Sequence, residues 1–268
     1  MTQIVSLARD ESRKILNALT PLLEGSQRIF VAYGPYTRGL ARFFRLALKL
    51  SNPQLSVEIV DSDSYPSMEL PYVSEYVDAL IAFLRAGSRI HRVATVARLL
   101  QVKAIAVVPK LPEVVRRALR GFNAIEVEDS VYSLSIVLAA LEIASKSKEA
   151  RASRVSGELA IDSELVEDVK RRFSTVSSSL GSSTIVCSSA TEAMCDEVKA
   201  RGYAARHLHE ALAACESSIV LAYASCEDQV ASEFVLNYRR KCPNAKISGV
   251  RVNTDPLTAP LYLLLSLL

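Results

Sequence analysis

The sequence is poor in several features that would point to a specialised partner. It has no tryptophan, only three histidines and a formal net charge of only +3 over 268 residues. The basic residues are spread along the chain and are not massed in one tail. Because nucleic-acid-binding proteins usually concentrate basic residues on one surface, nucleic acid is not expected as a partner.

The cysteines show no pattern typical of a metal site. None belongs to a CxxC pair, and none has the spacing of zinc ligands. We therefore predict buried or incidental thiols of a cytoplasmic protein, without a bound metal. The five positions are Cys187, Cys195, Cys215, Cys226 and Cys242.

Long hydrophobic runs are also missing. The opening residues, MTQIVSLARDESRK, reach charged side chains at once, so a secretion signal is not expected. The closing residues, APLYLLLSLL, are far shorter than the roughly 20 apolar residues that cross a bilayer. They predict a buried terminal helix, and no membrane partner is expected.

What the sequence does have is a regular alternation of apolar strands and helices. The first half predicts strands at 28–34, 56–62, 78–84, 103–109 and 124–129. Continuous apolar strands are typical of a parallel sheet covered on both faces. After a polar linker at 145–158, helix 162–173 is predicted with Asp162 as its N-cap.

The same alternation returns in shorter form after this linker. Strands are predicted at 183–189, 204–209, 217–224 and 246–252, with helices between them. Strands interleaved with helices form right-handed crossovers. The sequence thus predicts an α/β fold of two tandem three-layer αβα sandwiches with mainly parallel sheets, divided into domains 1–150 and 151–268.

The stretch RIFVAYGPYTRGLARFF, residues 28–44, joins a strand to a basic helix through a glycine turn. A nucleotide triphosphate loop needs the pattern GxxxxGK[ST], whose lysine reaches the phosphates and whose hydroxyl binds magnesium. Gly34 and Gly39 have this spacing, but Leu40 and Ala41 follow them. Nucleotide hydrolysis is therefore excluded.

A dinucleotide loop fits the same turn poorly. It needs GxGxxG, whereas Pro35 and the bulky Tyr36 follow a single glycine. Asp61 or Asp63 ends the next strand near the place of a ribose-binding carboxylate, which keeps this alternative open. The favoured interpretation of these aspartates is a solvated loop after a strand.

The remaining features of the turn favour a phosphate. The hydroxyl of Thr37 and the guanidinium of Arg38 stand at a helix N-terminus, where free N–H groups and the helix dipole attract anions. The alternative is that Arg38, Arg42 and Arg45 form only the solvated face of an amphipathic helix.

The order of elements and three segments resemble the sugar isomerase (SIS) family, most closely its two-domain archaeal bifunctional phosphoglucose/phosphomannose isomerases. VAYGPYTRGLA takes the place of the family's first phosphate loop, with Gly34 at the turn and Thr37 at the position of a serine hydroxyl. DALIAFLRAGSRIHRVATVARLL takes the place of the second, with Gly87 and Ser88 as its remnant. RVNTDPLTAPLYLLLSLL is similar to the closing segment.

This resemblance implies two SIS-like domains, a sugar-phosphate ligand, no cofactor and a site completed in a homodimer. The sequence departs from the family pattern in the second phosphate loop, where Leu84 and Ala86 stand in place of serines. Arg85 and Arg89 flank the second loop and would supply charge-assisted hydrogen bonds instead.

The catalytic residues are only partly matched. No carboxylate in EVKARGYAARH aligns with the family's catalytic glutamate. His209 has the spacing of the ring-opening histidine, and the adjacent Glu210 is the candidate substitute base. The resemblance therefore leaves two readings open, an aldose/ketose phosphate isomerase and a non-catalytic or purely structural relative.

Overall fold

The computed structural model describes residues 2–65, 76–85, 89–147 and 150–268. Internal contacts divide the chain into two compact units, one formed by Gln3–Ser156 and the other containing Gly157–Leu268. The sequence predicted this boundary at 150/151. The predicted α/β class with parallel sheets is confirmed.

The first unit is built around a parallel sheet of order β2-β1-β3-β4-β5. The central strands β1, β3 and β4 are mostly buried and apolar, as expected where helices cover both faces of a sheet, and all five residues of β3 are buried. The elements in chain order are α1 (Thr2–Leu23), β1 (Arg28–Tyr33), α2 (Arg38–Ser51), β2 (Ser56–Asp61), β3 (Ala79–Phe83), α3 (Ile90–Leu99), β4 (Lys103–Pro109), α4 (Glu113–Ala118), β5 (Asn123–Val127), α5 (Tyr132–Ser145) and α6 (Ala150–Glu158).

The second unit repeats this plan with a parallel sheet of order β7-β6-β8-β9. Its last strand is followed by an apolar helix that is buried almost throughout. The elements are α7 (Ser163–Arg172), α8 (Ser174–Ser179), β6 (Thr184–Cys187), α9 (Glu192–Ala200), β7 (Ala205–His207), α10 (Leu208–Ala213), β8 (Ser218–Ala224), α11 (Asp228–Lys241), β9 (Lys246–Val252) and α12 (Ala259–Ser266).

The apolar helices α5 and α12 belong to the interior of the chain. Nearly every residue of α5 is buried, including Ser133 and Ser135. A helix that is hydrophobic on all sides is expected in a core. Neither helix therefore offers a free apolar surface. None of the helices in the described ranges combines the length and apolar character that crossing a bilayer requires.

Part of the predicted linker is helical. Residues 145–158 are polar, yet α6 occupies Ala150–Glu158 and buries Ala152 and Val155. These two residues are three positions apart and share a helix face, so packing of a narrow apolar stripe explains the helix. The sequence analysis placed a polar linker at 145–158 and did not predict this helix.

The prediction of unpaired thiols is also wrong. Cys187 is bonded to Cys195, and Cys215 is bonded to Cys242. The bonded cysteines are 8 and 27 residues apart in sequence. Cys187 ends β6 and Cys195 lies on the following helix α9, so their pairing depends on how the helix packs, which no CxxC-type spacing could reveal. Cys226 is exposed.

Candidate functional site

The first candidate site lies at the carboxyl edge of the first sheet, between β1 and β3. Strand order reverses there, and open α/β sheets bind ligands at such a point. Thr37 precedes α2, is fully buried, and accepts a hydrogen bond from the Gly34 N–H at 2.9 Å. Its hydroxyl donates to the Phe83 carbonyl at 2.7 Å. The Thr37 hydroxyl thus connects the two strand ends.

Gly34 is packed on its side-chain side. A Cβ at this position would lie 3.3 Å from Leu84 Cδ2 and 3.6 Å from Ser62 Oγ. Leu84 therefore closes the space beside Gly34 that a smaller hydroxyl residue would leave open. Ser62 was not predicted from the sequence; it is fully buried, and its Oγ has no hydrogen-bond partner among the described residues.

The predicted arginines lie around this edge, and two have carboxylate partners. Arg85 Nε lies 2.9 Å from Asp129 Oδ1, with the Arg85 side chain 9% exposed. Arg89 Nη2 lies 2.6 Å from Asp63 Oδ2. Arg38 is half-buried as the first residue of α2.

The loop residues Gly87 and Ser88 lie outside the described residues. The placement of Arg85 nevertheless has a clear physical basis. Its guanidinium lies 5.6 Å from the centre of the buried Tyr132 ring, a cation–π arrangement. Tyr132 donates to the Val107 carbonyl at 2.8 Å. An anionic ligand would compete with Asp129 for this guanidinium.

The second candidate site lies at the carboxyl edge of the second sheet. His207 is the last residue of β7, and Glu192 is the first of α9, which follows the neighbouring β6. The His207 Nδ1 atom lies 3.6 Å from Glu192 Oε1, and the two side chains are 5% and 6% exposed. Burial lowers the pKa of His207, although the Glu192 carboxylate acts in the opposite direction. The imidazole is therefore neutral at neutral pH.

His209, which the sequence placed on a strand at 204–209, lies together with Glu210 in the first turn of α10. The strand ends at His207, because Leu208 already begins the helix. The exposed His209 ring stacks on His207 with 6.0 Å between centroids. His209 is thus an imidazole open to solvent above a buried one.

Glu210 is held by two donors. Its Oε2 accepts from the His207 N–H at 3.1 Å and from Lys199 Nζ at 3.2 Å. Burial would raise the pKa of Glu210, but the His207 amide and Lys199 together bring it below its usual range. Glu210 is therefore ionised and comparatively weakly basic.

Glu192 is the residue that sequence reasoning missed. It stands one turn before the stretch in which a carboxylate was sought, on a helix whose Glu192, Asp196 and Glu197 are all buried. Three acidic residues on a helix usually indicate a solvated face. The feature of the sequence that could have identified Glu192 is its position, because it is the first residue of the helix that follows core strand β6.

No protein-family model matches the chain, and no curated protein matches it in sequence. Solved structures do share its fold. A provisionally assigned phosphosugar isomerase from Salmonella typhimurium is 13% identical, with a TM-score of 0.65 over 97% of this chain and 90% of its own. The glucosamine-6-phosphate deaminase of Thermotoga maritima is 11% identical, with a TM-score of 0.59 over 98% of this chain and 91% of its own.

The tagatose-6-phosphate ketose/aldose isomerase of Escherichia coli is 14% identical, with a TM-score of 0.55 over 98% of this chain and 88% of its own. Similarity at these identities establishes the fold alone. The predicted resemblance to sugar isomerases is thus confirmed as a likeness of fold.

Proposed function

We propose that the protein is a sugar-phosphate isomerase-like protein that interconverts an aldose phosphate and a ketose phosphate without a cofactor or a metal. The observation that carries the proposal is the group of two imidazoles and two carboxylates at the carboxyl edge of the second sheet. It consists of the exposed His209, the buried His207 with Glu192, and the ionised Glu210. By resemblance, the active form is a homodimer.

Isomerisation through an enediol needs a group that moves a proton between neighbouring carbons and one that serves the ring oxygen. In this proposal His209 exchanges a proton with the ring oxygen, and Glu210 accepts the carbon-bound proton. His207 and Glu192 are too buried to contact a substrate and act by positioning His209. A neutral His207 also avoids charge repulsion when His209 is protonated.

We also propose a phosphate-binding site at the edge of the first sheet. Gly34, Thr37 and Arg38 supply the turn, and Gly87 and Ser88 belong to the facing loop by resemblance. Arg85 and Arg89 would strengthen binding if the ligand replaced their present carboxylate partners. The specific phosphoglucose/phosphomannose reaction is the first to test.

The test is conversion of fructose 6-phosphate to glucose 6-phosphate at high protein concentration. The His209→Ala variant should lose about 100-fold or more in kcat, the usual contribution of a general acid–base residue. His91→Ala removes another exposed imidazole and should retain full activity. Absence of turnover above the blank with fructose 6-phosphate and with a panel of other sugar phosphates would exclude the isomerase.

The second candidate is a non-catalytic sugar-phosphate-binding or purely structural relative. It is favoured by Leu84, which closes the space beside Gly34, and by the internal bonds of Thr37. A ligand at a hundredfold excess over its Kd stabilises the folded state by about 2.7 kcal/mol. A rise in melting temperature without turnover would identify a binder, and an unchanged melting temperature would exclude sugar-phosphate binding.

A further inference from the structure

The crevice between the carboxyl ends of β6 and β8 holds a carboxylate that belongs to the chain itself. Strand order reverses at this point in the second sheet, as it does between β1 and β3 in the first. The Ser188 hydroxyl donates to Glu227 Oε2, which also accepts from the Ala224 N–H at 3.2 Å. Glu227 Oε1 accepts from the Ala190 N–H at 3.1 Å.

These three donors come from two separate segments. Ala224 belongs to Glu227's own turn, as in an ordinary helix cap. Ser188 and Ala190 follow β6, however, and are 39 and 37 residues away in sequence. Local capping explains the contact with Ala224. It does not explain why the Ser188 hydroxyl and the Ala190 N–H, which follow β6, donate to the same carboxylate. Such a concave group of donors is the arrangement that binds anions.

The framework of the crevice is formed by Thr191. Its hydroxyl donates to the Ala222 carbonyl at 2.9 Å, and the Ser188 N–H donates to the same carbonyl at 3.0 Å. This pattern of a strand-end residue and a threonine three positions later ties β6 to β8.

The first sheet contains the same pattern between β1 and β3. Thr37, three positions after Gly34, donates to the Phe83 carbonyl at 2.7 Å, and the Gly34 N–H donates to it at 3.1 Å. The two crevices are therefore equivalent in construction, and Ala222 corresponds to Phe83.

The equivalence of the two crevices also shows which position in the first unit corresponds to Glu227. Glu227 is the fifth residue after Ala222, and the fifth residue after Phe83 is Ser88. Ser88 lies outside the described residues, so the comparison concerns sequence position alone. The second crevice has an acidic residue at the position where the first has a hydroxyl residue.

We infer that the crevice formed by Ser188, Ala190 and Ala224 is an anion-binding site occupied by the chain's own Glu227. Its external ligand, once Glu227 is removed, is a phosphate group, whose oxygens can replace those of the carboxylate. Glu227 closes this crevice to external anions in the native protein. Where a sugar phosphate binds, its phosphate is therefore directed to the first sheet, a consequence that rests on the proposed function.

The test compares the native protein, Glu227→Ser and Glu233→Ser in titrations with inorganic phosphate at constant ionic strength, measured by calorimetry. Glu233 is an exposed glutamate on α11 that accepts a hydrogen bond from Gln229 Nε2, so its replacement controls for lost charge. Glu227→Ser should bind one phosphate per chain more than the other two proteins. An adventitious anion on surface arginines would bind equally to all three and would overturn the inference.

A second variant tests whether the new phosphate site is the crevice that contains Ser188. Adding Ser188→Ala to Glu227→Ser should weaken the new phosphate site about tenfold or more, the effect of losing one hydrogen bond to a charged group. If Glu227→Ser folds only when phosphate is present, that dependence supports the site. If it does not fold at all, Glu227→Ala, which also empties the crevice, is titrated in its place, and failure to gain a site overturns the inference.

The outcome is independent of catalysis. A native protein without isomerase activity leaves the expected gain of a phosphate site in Glu227→Ser unchanged. Conversely, an active native enzyme whose Glu227→Ser variant gains no phosphate site would overturn this inference alone.

Discussion

Burial determines the charge of His207 at the residue scale. Its side chain is 5% exposed, and its Nδ1 has no hydrogen-bond partner among the described residues. Taking a charged imidazole out of water is costly, so the folded state holds this residue neutral. The titratable groups that act on it electrostatically are Glu192, Lys199, Glu210 and His209, and together they do not reverse the effect of burial.

This lowered pKa predicts a pH-dependent stability. Unfolded histidine titrates near pH 6.5, and folded His207 titrates lower, so the unfolded state binds more protons between the two values. The free energy of unfolding should therefore fall as pH decreases from about 6.5 toward the folded pKa. His207→Asn should reduce this slope in urea denaturation across pH 7 to 5, a range set by the unfolded value.

The control for this experiment is His91→Asn, which removes an exposed imidazole from α3. Its slope should remain that of the native protein. A His207→Asn variant with an unaltered slope would show that His207 is protonated equally in the folded and unfolded states.

Tyr36 adopts a backbone conformation that suits glycine. Its φ is +62°, and its side chain is 49% exposed in the turn between β1 and α2. Left-handed backbone costs a bulky residue roughly 1–2 kcal/mol, whereas glycine loses about 0.5–1 kcal/mol of chain entropy. Tyr36→Gly should therefore raise the free energy of unfolding by up to about 1 kcal/mol in urea titrations.

Gln101 supplies a matched control, because its φ is +56° at the end of α3. Gln101→Gly should be stabilising to a similar extent. If Tyr36 is retained for its ring, only Tyr36→Gly should weaken sugar-phosphate binding. Marked destabilisation by Tyr36→Gly alone would mean that ring contacts outweigh the backbone strain.

At the scale of elements, the sequence was informative where local chemistry decides. The buried strands were predicted from continuous apolar runs, and Asp162 caps α7 by accepting from the Leu165 N–H at 2.8 Å. Helix α6 was missed because its apolar stripe is narrow. His209 was placed on a strand, since an alternating pattern does not show where β7 ends.

The residues of the candidate sites could also be predicted only where local sequence determines them. Gly34 and Thr37 could be located from a turn signal, but the bond from Thr37 to Phe83 joins residues 46 apart. The pairing of Arg85 with Asp129 spans 44 positions. Such partners depend on how strands are ordered in the sheet, and a single sequence specifies that order only indirectly.

The Asp162 cap predicts a measurable contribution to stability. Asp162→Ala should lower the free energy of unfolding by about 1 kcal/mol, because the Leu165 N–H loses its acceptor. Asp162→Ser should retain most of the stability, since serine is also a good cap. Glu167→Ala, at an exposed position within α7, is the control and should change little in urea denaturation. Equal loss from both alanine variants would contradict the capping role.

At the scale of the whole molecule, all covalent cross-links lie in one of the two units. Every cysteine of the chain is located between residues 187 and 242. The disulfides close segments with sequence separations of 8 and 27 residues. A disulfide stabilises chiefly by restricting the unfolded chain, by typically about 2–4 kcal/mol.

Reduction therefore tests whether the units are independent domains, as we propose from the sequence. Dithiothreitol should lower amide-exchange protection in Gly157–Leu268 and leave that of Gln3–Ser156 unchanged, measured by mass spectrometry. The unreduced protein should also yield linked peptides containing Cys187–Cys195 and Cys215–Cys242. The combined Cys187→Ala and Cys195→Ala variant should reproduce part of the loss without reductant. A parallel loss of protection in both units would instead show that they unfold together, because the cross-links of one would then stabilise the other.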